Sequence, residues 1–154
     1  MIKITFILLI FISSCTIFRW MVPEKKETLE KTNFIWPIEG RIVSYFGKRN
    51  GMFHKGIDIA APEEKKIKAS LDGVVTYSDF RPGYGNLIII AHSDNFSTVY
   101  AHCKERFVQE GKRIKQGEII ATVGKTGKAF GPHLHFEIRH FGEAKDPLIY
   151  LKNP

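Results

Sequence analysis

Cysteine is scarce in this chain of 154 residues, which contains two cysteines and three methionines. Two cysteines far apart in the sequence are too few for the disulfide framework on which very small secreted domains depend. At this length a folded chain buries roughly 70% of its unfolded surface, so a hydrophobic core can form without such staples. The longest apolar run covers Ile4–Ile12, well short of the ~20 residues that a membrane-spanning helix needs.

Long helical patterns are also missing. From Phe34 to Pro154 no window carries the apolar spacing of a long amphipathic helix. The region consists instead of short β-branched and aromatic runs, separated by turn signals such as Pro82-Gly83. We therefore predict an all-β domain over residues 34–154. Its strands are expected at Gly73–Tyr77, Leu87–Ala91, Phe96–His102, Glu118–Val123 and His133–Arg139.

Positive charge is in excess, since 23 Lys and Arg face 16 Asp and Glu and leave a formal charge of +7. Such an excess favours an anionic neighbour, such as nucleic acid, an acidic lipid surface or an acidic cell-envelope polymer. Nothing groups the basic residues with stacking aromatics in a recognised nucleic-acid module, so no nucleic-acid partner is expected.

The N-terminal segment has the order of an export signal. Lys3 precedes the apolar run Ile4–Ile12, and the small residues Ser13 and Ser14 follow it. Residues 12–15, with the sequence ISSC, also resemble a bacterial lipobox, in which cleavage precedes a cysteine that then carries the lipid. The segment therefore predicts export to the bacterial cell envelope.

Two fates of this segment are consistent with the pattern. We predict a signal peptide over residues 1–14, a membrane lipid anchor on Cys15 and a polar tether over residues 15–33. The alternative is an uncleaved signal anchor from Ile4 to Val22. That span would carry Arg19, at a cost of roughly 2.5–3.5 kcal/mol for a charge deep in the membrane. The lipobox is therefore favoured.

Histidines and one aspartate lie in two informative settings. His54 and Asp58 are four residues apart around Gly56, in a segment whose composition favours a loop that enters a strand. Gly56 would permit the bend that brings the two side chains together. His133 and His135 alternate along a predicted strand and therefore share one face, which leaves open which of them is a ligand.

Two imidazoles and one carboxylate suit a catalytic zinc site, in which three protein ligands leave a fourth position open. His102, from a separate predicted strand, is a natural candidate for proton transfer beside such a metal. Each pair taken alone is more often structural than metal-binding. Their occurrence in one chain is what favours a metal centre.

A series of ordered motifs runs through nearly all of residues 34–151. They are Ser44–Arg49, His54–Pro62, Asp72–Val75, Gly83–Asn86, Tyr100–His102, Lys115–Gly117, Gly131–Glu137 and Asp146–Leu148. In this order they resemble the lysostaphin-type, or LytM, zinc peptidases of family M23. The resemblance implies a fold of antiparallel β-sheets that form a narrow groove, of the duplicated-hybrid-motif type.

The same resemblance implies residue roles and a function. It assigns one Zn²⁺ to His54, Asp58 and His135, and it makes His102 and His133 the catalytic histidines. The implied function is a peptidoglycan hydrolase, a zinc-dependent endopeptidase that cleaves amide bonds in cell-wall peptide cross-links. The alternative is a non-catalytic LytM-type module that binds the wall or activates a partner amidase. The complete set of five residues favours the enzyme.

Some residues depart from the family pattern. The segment Glu63–Lys68 is expected to alter a surface turn, and Phe130 to narrow the groove or make it more apolar. Cys103 directly follows His102, so on a strand it is expected to face away from the metal as a buried thiol.

Other polar residues have less definite roles. Tyr84 either lines the groove or packs in the core, and Asn86 either binds a peptide backbone or closes a turn. His92 and His140 are interpreted as surface or supporting polar residues without a chemical role.

Overall fold

The computed structural model describes residues 33–49 and 51–152. The predicted signal peptide, the lipidated Cys15 and nearly all of the predicted tether lie outside these residues. Within them, regular structure is almost entirely strand, with one short helix, α1, at Pro147–Tyr150. No helix in this part of the chain is long and apolar enough to cross a membrane. The prediction of an all-β domain is confirmed.

The described residues form twelve strands. They are β1 (Arg41–Ser44), β2 (Gly47–Arg49), β3 (Met52–His54), β4 (Ile57–Ala60), β5 (Lys66–Lys68), β6 (Gly73–Arg81), β7 (Gly85–Ala91), β8 (Phe96–Arg106), β9 (Arg113–Ile114), β10 (Ile119–Val123), β11 (His133–His140) and β12 (Glu143–Lys145).

Ten of these strands belong to one sheet, whose main order is β1-β4-β11-β8-β7-β6-β9. Strand β10 pairs with both β5 and β8, strand β12 pairs with β11, and β2 and β3 form a separate hairpin. All of the pairings are antiparallel. The sheet therefore branches at β8, which joins β7, β10 and β11.

A large hydrophobic core packs beneath the sheet. Phe34, Tyr100 and Phe136 are fully buried in it, together with isoleucines from β4, β5, β7, β10 and β11. Burying side chains of this size stabilises a fold by about 1.5–3 kcal/mol each. The strands were predicted from runs of β-branched residues, and side chains of these runs fill the core. β-Branched side chains pack well on a pleated surface.

All five predicted strands are present, and most are longer than expected. Strand β8 continues to Arg106 and β6 to Arg81. The expectation for Glu63–Lys68 was wrong in part. A turn does lie here, with Glu64 at φ 66, but the segment then enters strand β5, where Ile67 is fully buried. One apolar residue between two lysines is enough to fix this short strand to the core.

Candidate metal centre

Three strands bring the predicted ligands together. His54 ends β3, Asp58 lies in β4, and His135 lies in β11 directly opposite Asp58 in the ladder. The Nε2 atom of His54 lies 3.1 Å from Oδ1 of Asp58 and 3.0 Å from Nδ1 of His135. Asp58 Oδ1 and His135 Nδ1 are 2.8 Å apart. These three atoms therefore form a nearly equilateral triangle.

Contacts behind the triangle fix which nitrogen carries the proton. Nδ1 of His54 lies 2.8 Å from the carbonyl oxygen of Tyr45, which can only accept. Nε2 of His135 lies 3.0 Å from a carboxylate oxygen of Glu137. Both outer nitrogens therefore donate, and in the neutral rings the inner nitrogens present lone pairs.

The triangle fits a small cation. A tetrahedral Zn²⁺ with bonds of about 2.0–2.1 Å places neighbouring ligand atoms about 3.3 Å apart, close to the separations among His54, Asp58 and His135. Three lone pairs aimed at one point repel one another unless a cation or a shared proton lies between them. Burial acts to raise the pKa of Asp58, but hydrogen bonds with His135 and His54 hold it well below its usual range. The carboxylate is therefore charged, as a ligand must be.

Two further imidazoles line the same groove. Nδ1 of His102 lies 2.7 Å from the carbonyl oxygen of Thr126, and Nδ1 of His133 lies 2.8 Å from that of Gly131. Each Nδ1 therefore donates, which leaves Nε2 as the acceptor of the neutral ring. The ring centroids of His102 and His133 are 4.8 Å apart. Nε2 of His133 reaches 3.9 Å from Asp58 Oδ1.

His102 has an unusual backbone. Its φ of 62° lies in the left-handed region although it sits within strand β8. The β7–β8 ladder shifts register nearby, between Asn86 and Ile88. A bulge of this kind re-aims a side chain out of the regular alternation. Burial lowers the pKa of His102, so the ring is neutral near pH 7 and able to accept a proton.

Sequence reasoning missed the contribution of Glu137. Its side chain is fully buried and contacts His135, the hydroxyl of Tyr84 at 2.9 Å and the guanidinium of Arg139 at 2.6 Å. Burial acts to raise the pKa of Glu137, but the contacts with His135 and Arg139 keep it below the usual range. Strand alternation could have found it, because residues 133, 135 and 137 share one face.

Arg49 was also missed as part of the centre. Its Nη2 lies 3.6 Å from Oδ2 of Asp58, and its other terminal nitrogen donates to the hydroxyl of Ser44. That hydroxyl lies 3.3 Å from Nδ1 of His54. The guanidinium of Arg49 thus faces Oδ2 of Asp58 and leaves Oδ1 directed at His54 and His135.

The five predicted site residues all line one open groove of about 760 Å³. Its rim carries exposed apolar side chains, with Met52 at 74% exposure, Phe53 at 51% and Phe130 fully exposed. Lys55 and Lys128 add positive charge. Phe130 therefore extends the apolar surface at the rim, in agreement with one of its two expected effects.

Tyr84, Asn86 and Cys103 make contacts within the protein. The hydroxyl of Tyr84 is used within the protein, and the amide of Asn86 donates to the carbonyl oxygens of Cys103 and Lys104. The thiol of Cys103 is buried, and burial raises its pKa to about 12. It is a structural thiol, as predicted.

The two remaining histidines belong to the framework. His92 bridges the carbonyl oxygen of Asp72 at 2.7 Å and the hydroxyl of Thr98 at 2.8 Å. The ring of His140 stacks on Phe96, with 4.2 Å between ring centroids. His92 and His140 therefore have structural roles, in agreement with the interpretation that neither has a chemical role.

Comparison with known proteins agrees with this geometry. Residues 52–147 match the family model of peptidase family M23. The chain belongs to this family. In the M23 domain the match begins in β3, two residues before His54, and runs through His135, so it includes every predicted site residue.

Three proteins illustrate what this M23 domain is similar to. Murein hydrolase activator NlpD of Escherichia coli (strain K12) is 45% identical over 117 residues, which cover 75% of this chain and 30% of NlpD. DD-carboxypeptidase/endopeptidase Mpg of Neisseria meningitidis serogroup B is 41% identical over 121 residues, covering 74% and 28%. A zinc-containing peptidase from Vibrio cholerae superposes with a TM-score of 0.72 at 32% identity, covering 79% of this chain and 40% of that one.

The two curated relatives are much longer than this chain, and their names describe different activities. The chain spans only about 30% of NlpD and 28% of Mpg. One relative is named as an activator of murein hydrolases and the other as an enzyme. Membership of the M23 family therefore links this chain to peptidoglycan-associated proteins and leaves two kinds of activity to be weighed.

Proposed function

We propose that this chain is a zinc-dependent endopeptidase that cleaves amide bonds in the peptide cross-links of peptidoglycan. The observation that carries the proposal is the arrangement of His54, Asp58 and His135, whose three ligand atoms converge with their outer contacts already made. A centre that only supported the fold would not need two further imidazoles, His102 and His133, with free nitrogens in the same groove.

A zinc ion held there would polarise a peptide carbonyl and lower the pKa of an attacking water to about 7. The protein supplies the remaining functions. A neutral His102 or His133 accepts the proton from the water through Nε2, since Nδ1 of each ring is held by a carbonyl oxygen. The protonated ring then donates to the leaving amine, and the second imidazole stabilises the developing oxyanion.

The groove suits an extended peptide. It is open to solvent along its length, and its rim offers Met52, Phe53 and Phe130 for apolar contact. Lys55 and Lys128 would attract the carboxylates of a peptide stem. The name of the relative Mpg, which refers to carboxypeptidase and endopeptidase activity, supports a peptide substrate.

The location follows from the N-terminal segment. We propose that residues 1–14 are a signal peptide, that Cys15 bears the lipid and that residues 34–154 form the peptidase domain. A domain anchored in this way in the cell envelope would meet peptidoglycan directly. The formal charge of the mature chain, +6 once Lys3 is removed with the signal peptide, also suits a neighbour that carries carboxylates.

The test uses the full chain and purified peptidoglycan. Zinc content is measured first, and the wall fragments released by the zinc-loaded protein are then identified by mass spectrometry. We expect new peptide amine ends from the wild type and a loss of at least 100-fold for His102→Gln with zinc content unchanged. A wild type that binds zinc but releases no new ends would refute the proposal.

A second candidate function is activation of a murein hydrolase. It is favoured by the 45% identity with NlpD, whose name describes that role. The two functions separate in one experiment, in which a purified wall amidase is mixed with wild type or with His102→Gln. Stimulation of the amidase by both proteins, without new peptide ends from either one alone, would favour the activator.

A further inference from the structure

A second groove adjoins strand β1, which also lines the metal groove. It has a volume of about 990 Å³ and is lined by the segment Trp36–Ile42, by Tyr45 and by three lysines of β5 and its entry. Val43 and Ser44 of β1 line the metal groove, whereas Arg41 and Ile42 line the second one. Nothing in the proposed hydrolysis uses the second groove.

The second groove lies at a gap in the sheet. Strand β1 pairs only with β4, and strand β5 pairs only with β10, among the described residues. These two terminal strands are the ends of the path β5-β10-β8-β11-β4-β1, and both line the groove. The gap is the space between these two terminal strands, and the segment Trp36–Gly40 that leads into β1 also lines it.

The edge of β1 is the open one. On β5, the backbone N–H of Lys68 already donates to the carbonyl oxygen of Pro37 at 2.9 Å. No described segment pairs with the side of β1 away from β4. Four residues of strand present an edge about 13 Å long. An open edge of this kind accepts an added strand by main-chain hydrogen bonding.

Positive charge predominates around the gap. Arg41, Lys65, Lys66 and Lys68 line it, against a single carboxylate, Glu39, which lies 4.0 Å from Nζ of Lys65. Arg41, Lys66 and Lys68 are exposed. Lysines on an edge strand discourage pairing with a neutral or basic strand, and the same charges select an acidic one.

Apolar surface lies between the charges. Trp36 and Ile42 are half-buried in the lining, and the ring of Tyr45 is 63% exposed. A strand that adds to β1 alternates its side chains between two faces. Apolar side chains on one face would meet this surface, and acidic side chains on the other would meet the lysines.

We propose that this groove binds an extended acidic segment of a partner protein, which adds to β1 as an antiparallel or parallel strand. The occupant is a segment of L-residues, because a regular strand needs one chirality to keep its alternation. Peptidoglycan stems contain D-residues and cannot form that ladder. The binding does not depend on hydrolysis or on metal in the neighbouring groove.

The test measures binding of a fluorescent peptide of four Glu-Val repeats to the full chain by anisotropy. We expect binding that is weakened at least fivefold by Lys68→Glu or by Arg41→Glu. The matched control is Arg113→Glu, which reverses an exposed cation of β9 at the opposite end of the sheet and should change affinity less than twofold. Asp58→Asn should leave peptide binding unchanged, which separates this result from the fate of the proposed function.

Two further measurements test the strand pairing itself. A peptide methylated on every backbone nitrogen has no N–H to donate from either edge and should lose binding at least tenfold. Amide exchange in residues 41–44 should slow when the unmodified peptide is bound. The proposal would be overturned if all variants bound the peptide equally or if the methylated peptide bound as well as the unmodified one. It would also be overturned if soluble wall fragments, but not the peptide, protected residues 41–44 from exchange.

Discussion

Four imidazoles around the metal groove are held in the same way. In each, one ring nitrogen donates to a carbonyl or carboxylate oxygen, and the other is directed into the groove. The orientation of every ring is therefore set before a metal or substrate binds. Fixing orientation in advance reduces what binding and reaction must reorganise.

Glu137 gives the clearest test of this arrangement. The substitution Glu137→Gln removes the negative charge that strengthens the hydrogen bond from Nε2 of His135. It also leaves the guanidinium of Arg139 without its ion-pair partner. We expect zinc affinity to fall about 10- to 100-fold, the usual effect of losing such a supporting group. Competition with a coloured zinc chelator measures it. Glu143→Gln, an exposed residue that pairs only with Lys145, is the control, and equal affinities for the two variants would contradict the role.

Cys103 is predicted to be chemically inert in the folded chain. Burial raises the pKa of its thiol to about 12, and the thiolate is the reactive form. We expect alkylation of Cys103 by iodoacetamide at pH 7.5 to be at least 100-fold slower in the native protein than in urea. Peptide mapping by mass spectrometry separates this cysteine from Cys15. Equal rates in both conditions would show that the site is accessible.

Sequence reasoning named the candidate ligands and catalytic histidines but not all of the residues that contact them. His54, Asp58 and His135 stand in ordered motifs, so the resemblance named them. Arg49 was missed because its contact with Asp58 depends on how the β2–β3 hairpin folds back. The left-handed backbone of His102 could not be predicted, because local sequence alone does not reveal a bulge that depends on a neighbouring strand.

At the scale of elements, the pairing of β4 with β11 builds the centre. Their register sets Asp58 opposite His135 and Ala60 opposite His133. Gly56, just before β4, lets the two backbones approach closely. A Cβ at this residue would overlap the carbonyl oxygen of Phe136 and lie 2.9 Å from Cγ of Glu137. The chain bends at Gly56, as the sequence suggested, and the glycine is also needed for this close approach.

The substitution Gly56→Ala should therefore destabilise the domain. Overpacking between two buried strands costs about 1–3 kcal/mol, and we expect a loss in that range in the free energy of unfolding. Urea denaturation in the presence of a chelator measures it without a contribution from metal. Gly131→Ala is the matched control, since a Cβ there meets no atom within 4 Å. A Gly56→Ala protein as stable as the control would show that β4 can shift.

Long strands were easier to predict than short ones. Strands β7, β8 and β11 carry runs of β-branched and aromatic residues, and all are buried along most of their length. Strands β1 and β2 have three or four residues, none of which is buried. Their pairing depends on distant partners more than on their own composition, so propensity gives little signal.

At the scale of the whole molecule, the fold and the metal centre are separable. The three proposed ligands lie on strands β3, β4 and β11, and β4 and β11 already pair through their backbones. The large core lies on the opposite face of these strands, where Ile57, Ile59 and Phe136 pack together with Phe34 and Tyr100. The fold should therefore persist without metal, unlike that of small domains in which metal binding supplies the folding energy.

Zinc is nevertheless expected to raise thermal stability. A ligand at 100 times its Kd adds about 2.7 kcal/mol, which for a domain of this size raises Tm by roughly 10 °C. Calorimetry with zinc, and again after chelation, measures the shift. Asp58→Asn should remove most of it while the chelated protein keeps the Tm of the chelated wild type to within a few degrees. A wild-type Tm that does not change when zinc is added would argue against the proposed metal centre.

The two ends of the described fold meet. Phe34 and Leu151 form a parallel bridge, the N–H of Lys152 donates to the carbonyl oxygen of Phe34, and the indole of Trp36 donates to the carbonyl oxygen of Lys152 at 2.6 Å. A linker of a few residues could therefore join 152 to 34 and close this part of the chain into a ring. Reopening the ring at the exposed turn around Gly142 would give a circular permutant in which every strand keeps its neighbours.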